Sequence, residues 1–385
     1  MDERLLEFFY KWHRFEKANN VDIIDFDLIQ QGNCYPGAFV SRKQVEEELQ
    51  GIINDYNTLP QKNAVIQAKL DASLHYLHAL MGKQIPFHEY VSKTMGILPR
   101  PIPEEALQQQ LSKVNQAYKK LGYIRDKEGI DKFAKENSIS SLEDIEKSFI
   151  SFRDICLPQF MDWLGFRVNL KYKVSFVDRN EYWMNWISTD DNGEIHLQYN
   201  LNKRHRWLKG STESLVFHEI CSHALQVASW KQQLEQGNIH PLLGLISVFS
   251  SEQFIMEGIA QSLYYFYPVN PFSDYGHIIL HTDGLSWMVW NNAHIMANVG
   301  EEEGAIIEFI QSYFPNFSQE AIRKGILEKT KEPLGRTYQY VYGISLYYHM
   351  LIASKLSDQQ KKDYIVNNFK NIYTPEEVLH QYGIE

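Results

Sequence analysis

The sequence predicts a mainly α fold with a small antiparallel β-sheet beside a central helix. Three observations carry this expectation. Apolar residues recur at helical spacing through most of the chain. Residues that favour strands concentrate in one stretch after Gly165. A strongly apolar segment around Leu215 to Val227 also carries the polar string His218-Glu219-Ile220-Cys221-Ser222-His223. Composition agrees: 385 residues with 44% hydrophobic content can bury a substantial core, and 23 Tyr with 21 Phe suit a ring-lined cleft.

The elements follow in order. Leu5, Leu6, Phe9 and Trp12 space a helix over residues 3–18. Further helices are expected over 42–56, 64–81 and 87–95. Pro99, Pro101 and Pro103 then form a stiff connector. Helical spacing resumes over 104–121, 130–137 and 141–163. Residues 1–165 thus read as a helical N-terminal part in which nothing demands chemistry. Residues 166–385 read as the part that carries it, the two forming one integrated unit.

After Gly165, strands are expected over 173–177, 183–188 and 194–201. A turn at Asp191-Asn192-Gly193 separates the last two. The last strand, Ile195 to Asn200, is a candidate edge for an extended peptide, or a plain hairpin strand covering the core. Ser211 or Thr212 is expected to cap the central helix, which should run to about Trp230.

That helix holds the chemistry. Two histidines with a glutamate beside the first are the ligand set of a zinc hydrolase, but the spacing is one residue longer than in HExxH. At about 100° per residue, four residues leave two side chains roughly 40° apart, whereas five leave them about 140° apart. Ser222 takes the usual ligand position. His223 can join His218 only if a π-bulge widens the turn near Ile220 to Ser222, and such bulges concentrate at functional sites.

Catalytic zinc takes three protein ligands and keeps a position for water. Glu257, the acid in Phe254-Ile255-Met256-Glu257-Gly258-Ile259-Ala260-Gln261, is the expected third. Glu252 competes, but after Ser250-Ser251 it reads better as a first-turn acid of the same helix. Glu219 is left to act as general base. His277, His281 and His294 are candidate oxyanion donors on later helices, while His196 and His205 read as surface or packing histidines. In Leu334 to Gly343, Arg336, Tyr340, Gly343 and Tyr347 share a helix face that could hold a carboxylate and an oxyanion.

These segments resemble zincin metallopeptidases. One likeness is to a bacterial family whose metal helix reads HExxPGHHLQ, followed by TEGWALY-like and PGQxxxYxxG segments. Here the three appear in order as His218 to Gln226, Met256 to Ala260, and Leu334 to Gly343. This chain has one residue fewer between the histidines, lacks the Pro-Gly, and has Arg336 where the family has glutamine. The HExxxH spacing is similar to that of the tubulin-tyrosine carboxypeptidase family, whose HEIGTH and QEGLA elements look like His218 to His223 and Met256 to Ala260. A more distant likeness is to the helical carboxypeptidases of the Taq type. The resemblance implies a helical zincin-like fold, with His218, His223 and Glu257 binding Zn2+, Glu219 as base and Tyr340 as oxyanion donor.

The expected function is a zinc-dependent peptidase acting on a peptide or protein, with a carboxypeptidase as the form in which Arg336 binds the terminal carboxylate. A non-catalytic helical scaffold that binds a partner is the alternative, and a non-peptide amide substrate would leave the site unchanged. A net charge of −10 argues against a nucleic-acid partner. Cys34, Cys156 and Cys221 form no disulfide framework or CxxC site. Neither a signal peptide nor a membrane-length apolar run is recognisable, so no membrane partner and a cytoplasmic location are expected.

Overall fold

Helices dominate the computed structural model, which describes residues 1–180, 184–190, 193–202 and 207–384. The N-terminal part contributes α1 (Asp2–Lys17), the two-residue β1 (Phe26–Asp27), α2 (Arg42–Asn57), α3 (Ala64–Leu80), α4 (Phe87–Met95), α5 (Glu104–Lys120), α6 (Lys127–Glu136) and α7 (Leu142–Leu164). Starts are set by side chains that accept from the first turn. Ser41 caps α2, Asn63 caps α3, Asp126 caps α6 and Ser141 caps α7. The proline run between α4 and α5 stays non-helical.

Next come β2 (Tyr172–Val177), β3 (Asn185–Thr189) and β4 (Ile195–Asn200), hydrogen-bonded in the order β2-β4-β3. The β3–β4 pair is antiparallel, as expected, while β2 joins β4 in parallel. This order corrects one expectation: Ile195–Asn200 is the central strand, so its ladder is already paired on both sides. The edges are β2 and β3. Trp183, the Asp191-Asn192 half of the expected turn and His205 lie outside the described residues.

The central helix runs unbroken as α8 (Ser211–Leu215), a π-helical segment (Val216–Ala224) and α9 (Leu225–Glu235). Its cap is Gly210, at φ 88°, and not Ser211 or Thr212. Ser211 is already the first helical residue, and its hydroxyl accepts from the Leu208 amide at 3.1 Å. A short β5 (Leu245–Ile246) precedes α10 (Glu252–Phe266), α11 (Asp274–Val299), α12 (Glu303–Tyr313), α13 (Gln319–Lys331), α14 (Pro333–Lys355), α15 (Asp358–Lys370) and α16 (Pro375–Gln381).

One buried apolar cluster runs from Leu5 to Ile384, so the two parts read from the sequence share a core. β1 pairs antiparallel with β5, Phe26 opposite Ile246, which stitches the N-terminal part to the stretch before α10. Within that core, Lys69 on α3 meets Glu252 at 2.7 Å with both side chains almost fully buried. Glu252 is thereby a first-turn acid of α10 held by a lysine, and not a metal ligand. Replacing Lys69 by Met would strand a buried carboxylate. We expect a loss of about 3–5 kcal/mol, read by urea unfolding. Among the described residues, no helix is long and apolar enough to cross a membrane.

Candidate metal centre

The five-residue spacing is resolved by the π-helix over Val216–Ala224. Its wider turn stacks His223 above His218, where a regular helix would splay them apart. The two Nε2 atoms lie 3.1 Å apart. Ser222, at the usual ligand position, is instead fully buried and its hydroxyl has no partner. α10 packs against this segment and brings in Glu257, whose Oε2 is 3.7 Å from His218 Nε2 and 3.8 Å from His223 Nε2. His218, His223 and Glu257 form a group of potential ligand atoms within 4.8 Å of one another.

These residues fit a divalent ion. Tetrahedral zinc with bonds of about 2.0–2.1 Å sets neighbouring donors about 3.3 Å apart. The three separations here, 3.1, 3.7 and 3.8 Å, bracket that value. Burial opposes charge on His223, but Glu257 outweighs it and the imidazole is pushed up from its ordinary value. Burial, then repulsion from His223, drives His218 down to about 3. Burial alone would raise Glu257, yet His223, His218 and Tyr338 hold it down at about 2. His223 Nε2 faces both His218 Nε2 and Glu257 Oε2, around the place a metal ion would take.

Glu219 lies beside this group, with Oε1 3.8 Å from His218 Nε2. Asn185, on edge strand β3, donates from Nδ2 to the same oxygen, while Glu219 Oε2 is buried without a partner. Burial pushes the Glu219 carboxyl up to about 7, against the pull of His223. A group near 7 both takes and gives protons at neutral pH.

Two α14 residues do not sit where the sequence placed them. Tyr340 is fully buried facing the proline connector, where its hydroxyl accepts from the Arg100 amide at 2.9 Å and donates to the Arg100 carbonyl at 3.1 Å. It is a packing tyrosine and not an oxyanion donor. Arg336 turns toward α11 and α4: Nε donates to Asn298 of α11 at 2.9 Å, and the guanidinium lies over the Tyr90 ring of α4. It does not line the cleft. The adjacent helix face does the work. Tyr338 donates to Glu257 Oε1 at 2.6 Å, and Tyr342 donates to Tyr338 at 2.8 Å. We therefore expect Tyr338→Phe to weaken zinc binding about 10–100-fold in a chelator titration, with Tyr340→Phe unchanged.

His349 and Gly258 set the position of α10 against α14. A Cβ on Gly258 would lie 2.1 Å from the His349 ring, so only glycine lets the imidazole pack this close to α10. His349 Nδ1 donates to the Ser345 carbonyl at 2.8 Å, leaving a buried Nε2 with no partner. Burial lowers this histidine to about 4, although the Ser345 bond opposes the shift. The unfolded chain therefore takes up the proton first as pH falls. Stability should be whole above about 6.5 and decline from there toward about 4, measured by thermal unfolding across that window.

The group opens into a cavity of about 670 Å³. Its walls include Trp186 and Ile187 from β3, Tyr264 from α10, and Trp287 and Trp290 from α11. The N-terminal part also reaches it. Asp25, just before β1, lines the cavity and is pushed well above its ordinary value, by burial and then by Asp22. That acid was missed, because only the β1–β5 pairing brings it near the centre. His277 and His294 also have other tasks. The first bonds Asn270 at 2.9 Å, and the second packs between Phe87 and Tyr340. His281 lies off the cavity wall, in ring contact with Tyr264 and stacked on His277. His196 bonds Ser175 across the sheet at 2.9 Å, as a packing histidine should.

No family model matches the chain, and no curated protein matches it. Among solved structures, one described as a "putative lipoprotein from Colwellia psychrerythraea" is similar in fold. The TM-score is 0.55 at 11% identity, over 92% of this chain and 71% of that one. At that identity the likeness carries the mainly α fold alone.

Proposed function

We propose that this chain is a zinc-dependent metallopeptidase, in keeping with its resemblance to helical zincins. The observation that carries the reading is the π-helical turn that stacks His223 on His218 beside Glu257. A regular helix would be the easier structure to form. The distortion is well accounted for if the pair has to grip one ion.

His218, His223 and Glu257 would hold the metal, with Tyr338 fixing the carboxylate. The bound ion would supply Lewis acidity, lowering the pKa of water toward about 7 and polarising a carbonyl. Glu219 takes the proton from the attacking water and returns it to the leaving amine. Asn185 holds Glu219 Oε1 and leaves Oε2 for that proton. The aromatic walls shield the reacting groups from bulk water. A cavity of about 670 Å³ suits a short peptide or an extended chain end and not a folded protein.

The test is metal analysis joined to a peptide-library screen. About one zinc per chain and cleavage that stops with a chelator are expected. A chain that binds no zinc overturns the reading. We also propose a cytoplasmic location, since all three cysteines are free, with Cys156 and Cys221 4.0 Å apart and unbridged. Recovery of the chain with the cell envelope, as the name of the Colwellia protein would suggest for a relative, overturns that part.

A further inference from the structure

Among the described residues lining the cleft, Lys329 is the one lysine or arginine. It projects from the last turn of α13 and makes no ion pair with any described carboxylate. Its Nζ instead donates to Gln339 Oε1 at 2.5 Å and lies 4.5 Å from the centre of the Trp290 ring. Burial lowers it to about 8, which leaves it cationic at neutral pH.

Its position is fixed from behind. Asn298 donates to the Lys329 carbonyl at 2.9 Å, and Arg336 donates to Asn298 at 2.9 Å. The arginine that fails to reach the cleft therefore braces the lysine that does. A half-buried ammonium held by neutral partners is costly unless an anion completes it. The cleft supplies no such anion at that point except the neighbouring Glu328, whose field raises Lys329 without pairing with it.

Lys329 also shares a wall with the metal centre. Trp290 follows Trp287 by three residues on α11, about 4.5 Å along the axis. Trp287 stacks on Tyr342 at 4.6 Å, and Tyr342 leads through Tyr338 to Glu257. A chain bound at the metal and running along this wall meets the ammonium next.

Resting on the peptidase reading, we propose that Lys329, beside Gln339 and Trp290, receives the C-terminal carboxylate of a short peptide substrate. A point charge in an otherwise acidic cavity favours a single carboxylate over a polyanion. Asp25, Glu219, Glu257, Asp283 and Glu328 all line the same space.

The test uses the full-length zinc-loaded chain with Glu219→Gln to halt turnover, and calorimetry with N-acetyl trialanine as free acid and as C-terminal amide. The free acid should bind about tenfold tighter or more. Lys329→Met, and Lys329→Gln as a second variant, should erase the difference with zinc content and Tm unchanged, and Lys329→Arg should keep part of it. Equal binding of acid and amide, binding of neither, or a preference that survives in Lys329→Met overturns the proposal. Hydrolysis by the unmodified chain is read separately. Acid-selective binding without any cleavage would sink the peptidase reading and leave the role of Lys329 standing.

Discussion

A Glu219→Gln chain is expected to keep its zinc and to lose turnover by about 10²–10⁴-fold. Gln has nearly the same shape, and Asn185 can turn its amide to meet it, so the fold has no reason to change. What disappears is a carboxyl that burial holds at about 7, with an unpartnered oxygen beside the histidine pair to receive a proton. The loss should fall on kcat, because the proton moves only during reaction. Zinc content by metal analysis must stay near that of the unmodified chain. Full activity in Glu219→Gln would remove the proposed base, and a matching loss of zinc would make Glu219 a ligand.

A His218→Ala chain is expected to lose the metal altogether. One carboxylate and one imidazole remain, and the third donor is gone from a site whose tetrahedral geometry needs it. His223 would still face Glu257, so the local fold should survive without an ion. The readout is a thermal shift. Zinc should raise the Tm of the unmodified chain and leave that of His218→Ala unmoved. If both respond alike, zinc binds elsewhere. If neither responds and neither carries metal, a helical scaffold accounts for the chain better than an enzyme.

Much of the architecture was legible because helical spacing is a strong local signal. The boundaries of α2, α3, α4 and α5 fall within a residue or two of expectation, and the proline connector behaves as proline must. The metal group was legible for a different reason. His218 and His223 are near in sequence, and only one backbone distortion could join them. Helix phase was not legible. Residues 338 to 342 read Tyr-Gln-Tyr-Val-Tyr, three identical rings within one turn, and sequence gives no means of telling which faces the cleft. The choice fell on Tyr340, while the packing of α14 against α10 and α11 turned Tyr338 and Tyr342 inward. Asp25 was hidden because it reaches the centre through the pairing of β1 with the distant β5, and Asn185 because it does so from an edge strand laid against the π-helical segment.

The widened turn also has an effect downstream. The widened turn takes up one additional residue, so the stretch beyond Ala224 is re-phased by one position in sequence, about 100°, and keeps the place it holds in a protein with histidines four apart. Here that re-phased end is fastened: Trp230 and Gln226 both donate to the Asn368 carbonyl of α15, at 3.0 and 3.3 Å. A four-spaced cousin could superpose on both the ion-binding end and the α9–α15 seam only if its numbering is shifted by one across the widened turn. A residue-by-residue match to such a cousin must therefore open a gap at Cys221 or Ser222, or every later side chain of the helix will be assigned to the wrong neighbour.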